Sequence, residues 1–313
     1  MKKPLRFKVP ATCAHLGPGF GVLGVAVETA LSIEVEENKS GGFEVIRRGE
    51  MSHTPQDPRH DAILRALHAA QDTFQIKLPD GLRITAENAI PACSGLGTNS
   101  AAYAAGFGIA TRYAKQAPAA DELLDLLVGL GGTAAHGGAA LYGGLVACCP
   151  VQTAQETVSH HVFRYALSPT WRFVIVTPDY HLGAADVIRV LPANLPHGVT
   201  KRTSGRLLGL LHALAVGDDK LLHDCLVDEV HVPFRRNIVP GMDQALRAVH
   251  ESGCGAATIS GAGPAIVLIT TSAKAAEQGG QLMCQAFEAE GLKASVTSVG
   301  TCESGALPQE RGR

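Results

Sequence analysis

The chain has 313 residues, of which 46% are hydrophobic, 18% charged and 5% aromatic, with a formal net charge of −2. This composition excludes a disordered chain and fits a compact protein of two domains, or one large one. Mixed charge and scarce aromatics argue against a nucleic-acid surface, and no uncharged apolar run reaches the roughly 18–20 residues that span a bilayer.

Residues 5–9 and 27–37 alternate in polarity as strands do, and 42–48 read as another. A polar loop over 49–59 leads into an amphipathic helix over 61–74, with Ile63, Leu64, Leu67 and Ala70 on one face. A strand at 82–86, an apolar helix at 99–115 and a helix at 120–130 follow. The apolar run 139–150 reads as a strand pair turning at Gly143-Gly144. Beyond residue 153 the pattern changes. A strand at 173–177 precedes helices near 203–216, 218–229 and 239–252. Strands at 256–260 and 265–270 flank Gly261-Ala-Gly-Pro264, a helix at 273–291 and a strand at 293–299 follow, and Glu303 onward reads as a loose tail. The expectation is an α+β protein with domains 1–153 and 154–313.

The most informative segment is Pro91–Ala102, Pro-Ala-Cys-Ser-Gly-Leu-Gly-Thr-Asn-Ser-Ala-Ala. A glycine-spaced turn running into a buried helix places free backbone N–H groups and a helix dipole around one concavity, which suits a phosphate. Gly95, Leu96 and Gly97 form the turn; Thr98, Asn99 and Ser100 add donors or cap the helix. An ordinary capped helix is the plainer reading. The segment is neither a Walker A loop nor a dinucleotide fingerprint. The eight cysteines contain no Cys-x-x-Cys pair, so buried reduced thiols are expected; Cys13 and Cys93, beside glycine motifs, read as packed small residues rather than nucleophiles. The basic N-terminus has no apolar stretch behind it, so no signal peptide and a cytoplasmic location are expected.

Three glycine-rich segments occur together: Val9–Gly24 (Val-Pro-Ala-Thr-Cys-Ala-His-Leu-Gly-Pro-Gly-Phe-Gly-Val-Leu-Gly), Pro91–Ala102, and Ile259-Ser-Gly-Ala-Gly-Pro264. This trio resembles the GHMP small-molecule kinases. The first segment, together with Val176–Asp179, Val190–Pro192 and His231–Gly241, resembles the homoserine kinases among them. The resemblance spans nearly the whole chain. It implies a two-lobed fold, with an N-terminal α/β domain of the ribosomal-protein type and a C-terminal ferredoxin-like domain. ATP with magnesium would phosphorylate a hydroxyl of a small metabolite, in amino-acid metabolism, and a homodimer is the commonest closed assembly. No nucleic-acid or membrane partner is implied.

Several positions depart from that family. His15 stands where the homoserine kinases carry Asn, and Gly21 where they carry the Asp expected at the substrate amino group. Asn99 replaces a second Ser of the central loop, while Thr98 keeps a hydroxyl for phosphate or magnesium. An ungapped match sets His136 on a family Asn, Thr133 on a family His and Asp125 on the magnesium-binding Glu. The family's substrate-carboxylate arginines fall on Ile188, with Arg189 one place off, and on Arg235.

The candidate site therefore comprises His15, His136 and Asp125 for chemistry, with Thr98 and Asp125 for metal. His15, Arg235, Arg189, Ser260, Gly261 and Gly263 would bind substrate, and Gly95–Ser100 the nucleotide. Each has a plainer reading: satisfied histidines, a surface carboxylate, a solvated Arg235-Arg236 pair, a hairpin at Ser260–Gly263. His160-His161 reads as a solvated strand edge. The expected function is phosphorylation of homoserine or a related small hydroxylated acid. The alternative is a fold that no longer uses ATP, acting as an isomerase, lyase, hydrolase or binding protein with His15 and His136 as acid and base.

Overall fold

The computed structural model describes residues 4–50, 52, 57, 59–154 and 156–308, without the side chains of 184 and 185. The chain opens with β1 (Leu5–Ala14), a 3-10 turn at Gly17–Gly19, β2 (Leu23–Glu37) and β3 (Gly42–Gly49). Then come α1 (Ala62–Phe74), β4 (Gly81–Asn88), α2 (Thr98–Tyr113), α3 (Ala120–Gly129), α4 (Ala134–Tyr142), β5 (Leu145–Gln152) and β6 (Val158–Tyr165). The strands form one sheet in the order β3-β4-β2-β5-β6, with β1 antiparallel on β2. β3 and β4 are parallel, and the other pairs antiparallel.

Helix α1 starts where Asp61 accepts from the backbone N–H of Ile63 and Leu64. It buries the expected face, Ile63, Leu64, Leu67 and Ala70, against α2. Helix α2 is apolar on nearly every side because it lies between α1, β1 and α4. Gly106 lets α1 approach: a Cβ there would stand 2.3 Å from the Ile63 carbonyl.

The second half contains β7 (Arg172–Pro178), α5 (Ala184–Arg189), α6 (His197–Val216), α7 (Asp219–Cys225), the short α8 (Val232–Arg235) and α9 (Met242–Ser252). It continues with β8 (Ala256–Ile259), β9 (Ile266–Thr270), α10 (Ala273–Ala289) and β10 (Ala294–Val299). Its antiparallel sheet has the order β10-β7-β9-β8. With helical crossovers from β7 to β8 and from β9 to β10, this is the ferredoxin-like arrangement. α9 and α10 pack together, and Met242, Val249, Met283 and Phe287 fill a separate core with Ile266 and Leu268.

Four local expectations change. The run expected as a strand pair over 139–150 begins in helix: α4 occupies 134–142, and only the part after Gly143-Gly144 is a strand. An alanine-rich apolar run has no period that separates buried helix from buried strand. The strand edge expected at His160-His161 is a full strand, β6, which extends the first sheet to Tyr165. The helix expected over 218–229 is shorter, α7 ending at Cys225, and the short α8 at 232–235 is a separate element that was not expected. The expected tail is tied down: Thr301 bridges Val27, Ala306 is fully buried, and its carbonyl accepts from Arg112 at 2.9 Å.

Candidate active site

The three glycine-rich segments interlock by backbone. Thr12 N–H donates to the Leu96 carbonyl at 3.0 Å, Gly261 N–H to Ala14 at 2.8 Å and Ala265 N–H to Ser94 at 3.0 Å. The Ser260 hydroxyl donates to the Gly95 carbonyl at 3.0 Å. This packing needs glycine at 97, where φ is +73° and a Cβ would fall 2.2 Å from Thr12 Oγ1.

Gly97 is also the N-cap of α2, and it supplies no side-chain cap. The first backbone bond into the helix reaches Ala101 N–H, so the amides of Thr98, Asn99 and Ser100 precede the helical ladder. The N-terminus of a sixteen-residue helix thus ends in donors, with its positive dipole end beside the glycine turn. Thr98 Oγ1 turns back to the Pro91 carbonyl at 3.3 Å. Asn99 is exposed and Ser100 buried.

Behind the seam lies a cluster of aromatic and cationic side chains. The His15 ring centroid is 6.0 Å from that of His136 and 5.9 Å from that of His231. Phe20 stacks on His231 at 4.8 Å and lies 5.0 Å from His15, with the Arg235 guanidinium 5.5 Å over its ring. Arg235 is 7% exposed; it donates weakly to the Gly261 carbonyl at 3.4 Å, and its Nε has no hydrogen-bond partner among the described residues.

Local bonds give these groups distinct roles. His15 sits in the left-handed region, φ +60°, and its Nδ1 accepts from Gly21 N–H at 2.7 Å. The neutral ring therefore carries its proton on Nε2 and offers a donor. Burial, then the neighbouring His136, His231 and Arg235, hold its pKa well below the ordinary histidine value. His136 Nδ1 lies 2.7 Å from Thr12 Oγ1, and burial pushes its pKa down to about 4, a hydrogen bond to Thr12 opposing the shift. Asp228 holds the cluster from below. Its Oδ1 accepts from the amides of Val230, His231 and Val232, and Oδ2 lies 2.5 Å from His231 Nδ1. Cys13 is buried, which pushes its thiol up to about 12, so it stays protonated as a packed residue.

Models of the GHMP kinase N-terminal and C-terminal domains match residues 61–144 and 210–289. The homoserine kinase of Moorella thermoacetica is 31% identical over 301 residues, covering 96% of this chain and 98% of its own. That of Corynebacterium urealyticum is 32% identical over 273 residues, covering 86% of this chain and 87% of its own. The chain belongs to the GHMP kinases. The solved homoserine kinase of Cytophaga hutchinsonii superimposes with a TM-score of 0.84 at 24% identity, covering 97% of each chain. L. major mevalonate kinase in complex with R-mevalonate gives 0.66 at 18% identity, covering 96% of this chain and 99% of that one. These likenesses confirm the two-lobed fold. As a GHMP kinase the protein is a small-molecule kinase acting on a small metabolite.

Within this GHMP kinase the sequence candidates divide. His15, His136, Arg235, Ser260, Gly261 and the Gly95–Gly97 turn meet at the seam, with Gly263 in the same turn as Gly261. Arg189 is exposed and faces Asp186 at 3.5 Å, and Ile188 is 71% exposed. Asp125 pairs instead with His160 Nδ1 on β6, at 2.8 Å. His160, expected at a solvated edge with His161, is buried by that contact, while His161 remains exposed. Sequence reasoning missed Thr12, Phe20, Asp228 and His231 as site residues. His231 stands four residues before Arg235, one helical turn away, and that spacing was the available signal.

Proposed function

We propose that this kinase transfers the γ-phosphoryl group of ATP to a hydroxyl of a small carboxylate-bearing metabolite, homoserine or a relative. The observation that carries the reading is the uncapped start of α2 across a shared glycine seam from buried Arg235, whose Nε has no hydrogen-bond partner among the described residues. The amides of α2 suit nucleotide phosphates. Arg235, fixed between Phe20 and Gly261, suits a carboxylate, which a guanidinium can grip through two N–H bonds. The homoserine kinase names of the relatives support homoserine or a near relative as the substrate.

The donor set also fits the usual role of magnesium in such reactions. Among the described residues no group of three His, Cys, Asp or Glu side chains could hold a metal alone. A magnesium ion would therefore be held mainly by substrate phosphates, with the Thr98 hydroxyl as the protein's donor, and it would neutralise charge on the transferring group. His15, presenting Nε2–H, binds an anionic oxygen in this scheme. The lowered pKa values of His15 and His136 disfavour them as an acid–base pair near neutral pH.

The test is calorimetric titration with MgATP, followed by ADP release from a panel of hydroxy acids and amino alcohols. A nucleotide at a hundredfold excess over its Kd should stabilise the fold by roughly 2.7 kcal/mol. Absence of heat and of any melting shift at millimolar nucleotide would overturn the reading.

A further inference from the structure

The side-chain half of the seam gathers basic groups and leaves them little to balance against. His136, His231 and Arg235 act electrostatically on His15, and all three are bases. The acid that acts on Arg235 is Asp228. Its side chain is 2% exposed, its Oδ1 accepts from three backbone amides, and its Oδ2 lies 2.5 Å from Nδ1 of the fully buried His231. A ligand in the seam therefore cannot reach this carboxylate. Acids on the neighbouring segments face arginines of their own: Asp186 faces Arg189, Asp243 takes Arg236 and Arg247, and Glu229 takes Arg202 and Arg206.

The hydrogen-bonding edges of the cluster match its charge. Arg235 has donors only, is 7% exposed, and its Nε has no partner among the described residues. The neutral His15 ring, whose Nδ1 accepts from Gly21 N–H at 2.7 Å, presents Nε2–H. Phe20 has the aromatic face that attracts a cation, but Arg235 at 5.5 Å and His231 stacked at 4.8 Å already lie against it. A carboxylate, which accepts only, is matched by such surroundings. An ammonium, which donates only, meets other donors and a like charge, and a buried charge left unpaired is costly.

We infer that the acceptor substrate of this kinase is a hydroxy acid without an ammonium group, and that the seam selects against the matching amino acid. Arg235 grips the carboxylate, and His15 donates through Nε2 to a further oxygen of the same molecule. The inference rests on the proposed carboxylate role of Arg235 and narrows the substrate class within it. It also identifies where the selection could be reversed. Gly21 is bonded to His15, and a Cβ at this position would meet nothing within 4 Å, so a carboxylate can be introduced there without a clash.

The experiment measures binding to the full chain by calorimetry, with a non-hydrolysable MgATP analogue present. Three acids differ only at the carbon beside the carboxylate: homoserine bears an ammonium there, 2,4-dihydroxybutanoate a hydroxyl and 4-hydroxybutanoate a hydrogen. Homoserine should bind about tenfold or more weakly than each of the other two. Gly21→Asp should move the ratio of homoserine to 4-hydroxybutanoate affinity about tenfold or more toward homoserine. Gly21→Asn, alike in shape and in left-handed backbone, should leave it within about twofold; melting curves check that both variants fold. Failure of the MgATP analogue to bind would count against the proposed kinase function instead, so the two readings fail separately. With the analogue bound, homoserine binding as tightly as either partner would overturn the inference. So would equal weakness of homoserine and 2,4-dihydroxybutanoate, which would mean selection by size, no binding of any of the three acids, or a ratio no different between Gly21→Asp and Gly21→Asn.

Discussion

The two sides of the seam are built from different material. The α2 side is made of backbone: glycine φ angles, leading amides and a helix dipole, with Thr98 and Asn99 contributing little fixed side-chain structure. The opposite side is made of side chains: His15, His136, His231 and Arg235 around Phe20. A backbone site keeps its chemistry when side chains change, whereas a side-chain site changes its ligand with each substitution. In the proposed reading, the backbone side keeps its affinity for an anion even where the side chains that would read the substrate differ.

The largest test of that contrast is Arg235. Arg235→Gln should lower kcat/KM for the acid substrate by about 10³, near 4 kcal/mol, while leaving MgATP affinity within about twofold. Arg235→Lys should recover only part of the loss, because a point charge cannot reproduce the planar fork. Equal losses in nucleotide and acid binding would mean that the two sides act as one.

Protonation tests the side-chain half alone. His136 is neutral in the fold, with a pKa of about 4 against an unfolded value near 6.5. Between those values the unfolded chain binds more protons, so stability is full above pH 6.5 and falls as pH drops toward 4. The loss from this residue is at most about 3 kcal/mol, and His15 adds to it in the same direction. Urea melts from pH 7.5 to 4.5 should show the decline, and His136→Asn should flatten it. An unchanged slope in that variant would place the protonation elsewhere.

The backbone half is tested by two glycines with similar φ and different surroundings. Gly97→Ala places a Cβ against Thr12 and 2.8 Å from His136 Nδ1, and should cost about 2–3 kcal/mol as well as nucleotide affinity. Gly21→Ala, at φ +79°, meets nothing within 4 Å, so only the left-handed penalty of about 1 kcal/mol should remain. Comparable melting shifts in the two variants would show that backbone strain alone, and not packing across the seam, requires glycine at 97.

Much of this was readable from the chain. The α1 face, most strands of both sheets and the glycine turn before α2 follow from periodicity and turn chemistry, which are local. The α4 segment was not readable, because its alanines and glycines are apolar without a period. The His cluster was only half readable. His15 and His136 stand out as departures at motif positions, but their distance depends on how β1 and α4 pack. Asp228 and His231 join them from more than two hundred residues beyond His15, through tertiary contacts with no local sequence signature. Asp125 shows the reverse: its alignment with a metal-binding Glu is local, and its partner His160 is visible only once β6 is placed beside α3.

Asp125 is accordingly where the smallest effect is expected. Its carboxylate is about one-third exposed and bonded to His160, on the side of α3 that faces the sheet edge. Breaking a partly solvated pair of this kind changes stability by about 1 kcal/mol or less. Asp125→Asn keeps the shape and one acceptor oxygen, so the His160 contact survives in neutral form. The variant should melt within a few degrees of the parent and turn over within about threefold of it, with the same magnesium requirement. The magnesium titration is the decisive arm, since a structural role cannot move it. A hundredfold fall in kcat, with half-saturation shifted to higher magnesium, would mean that α3 turns this carboxylate toward the phosphates during turnover and that the side-chain half of the site extends to the metal.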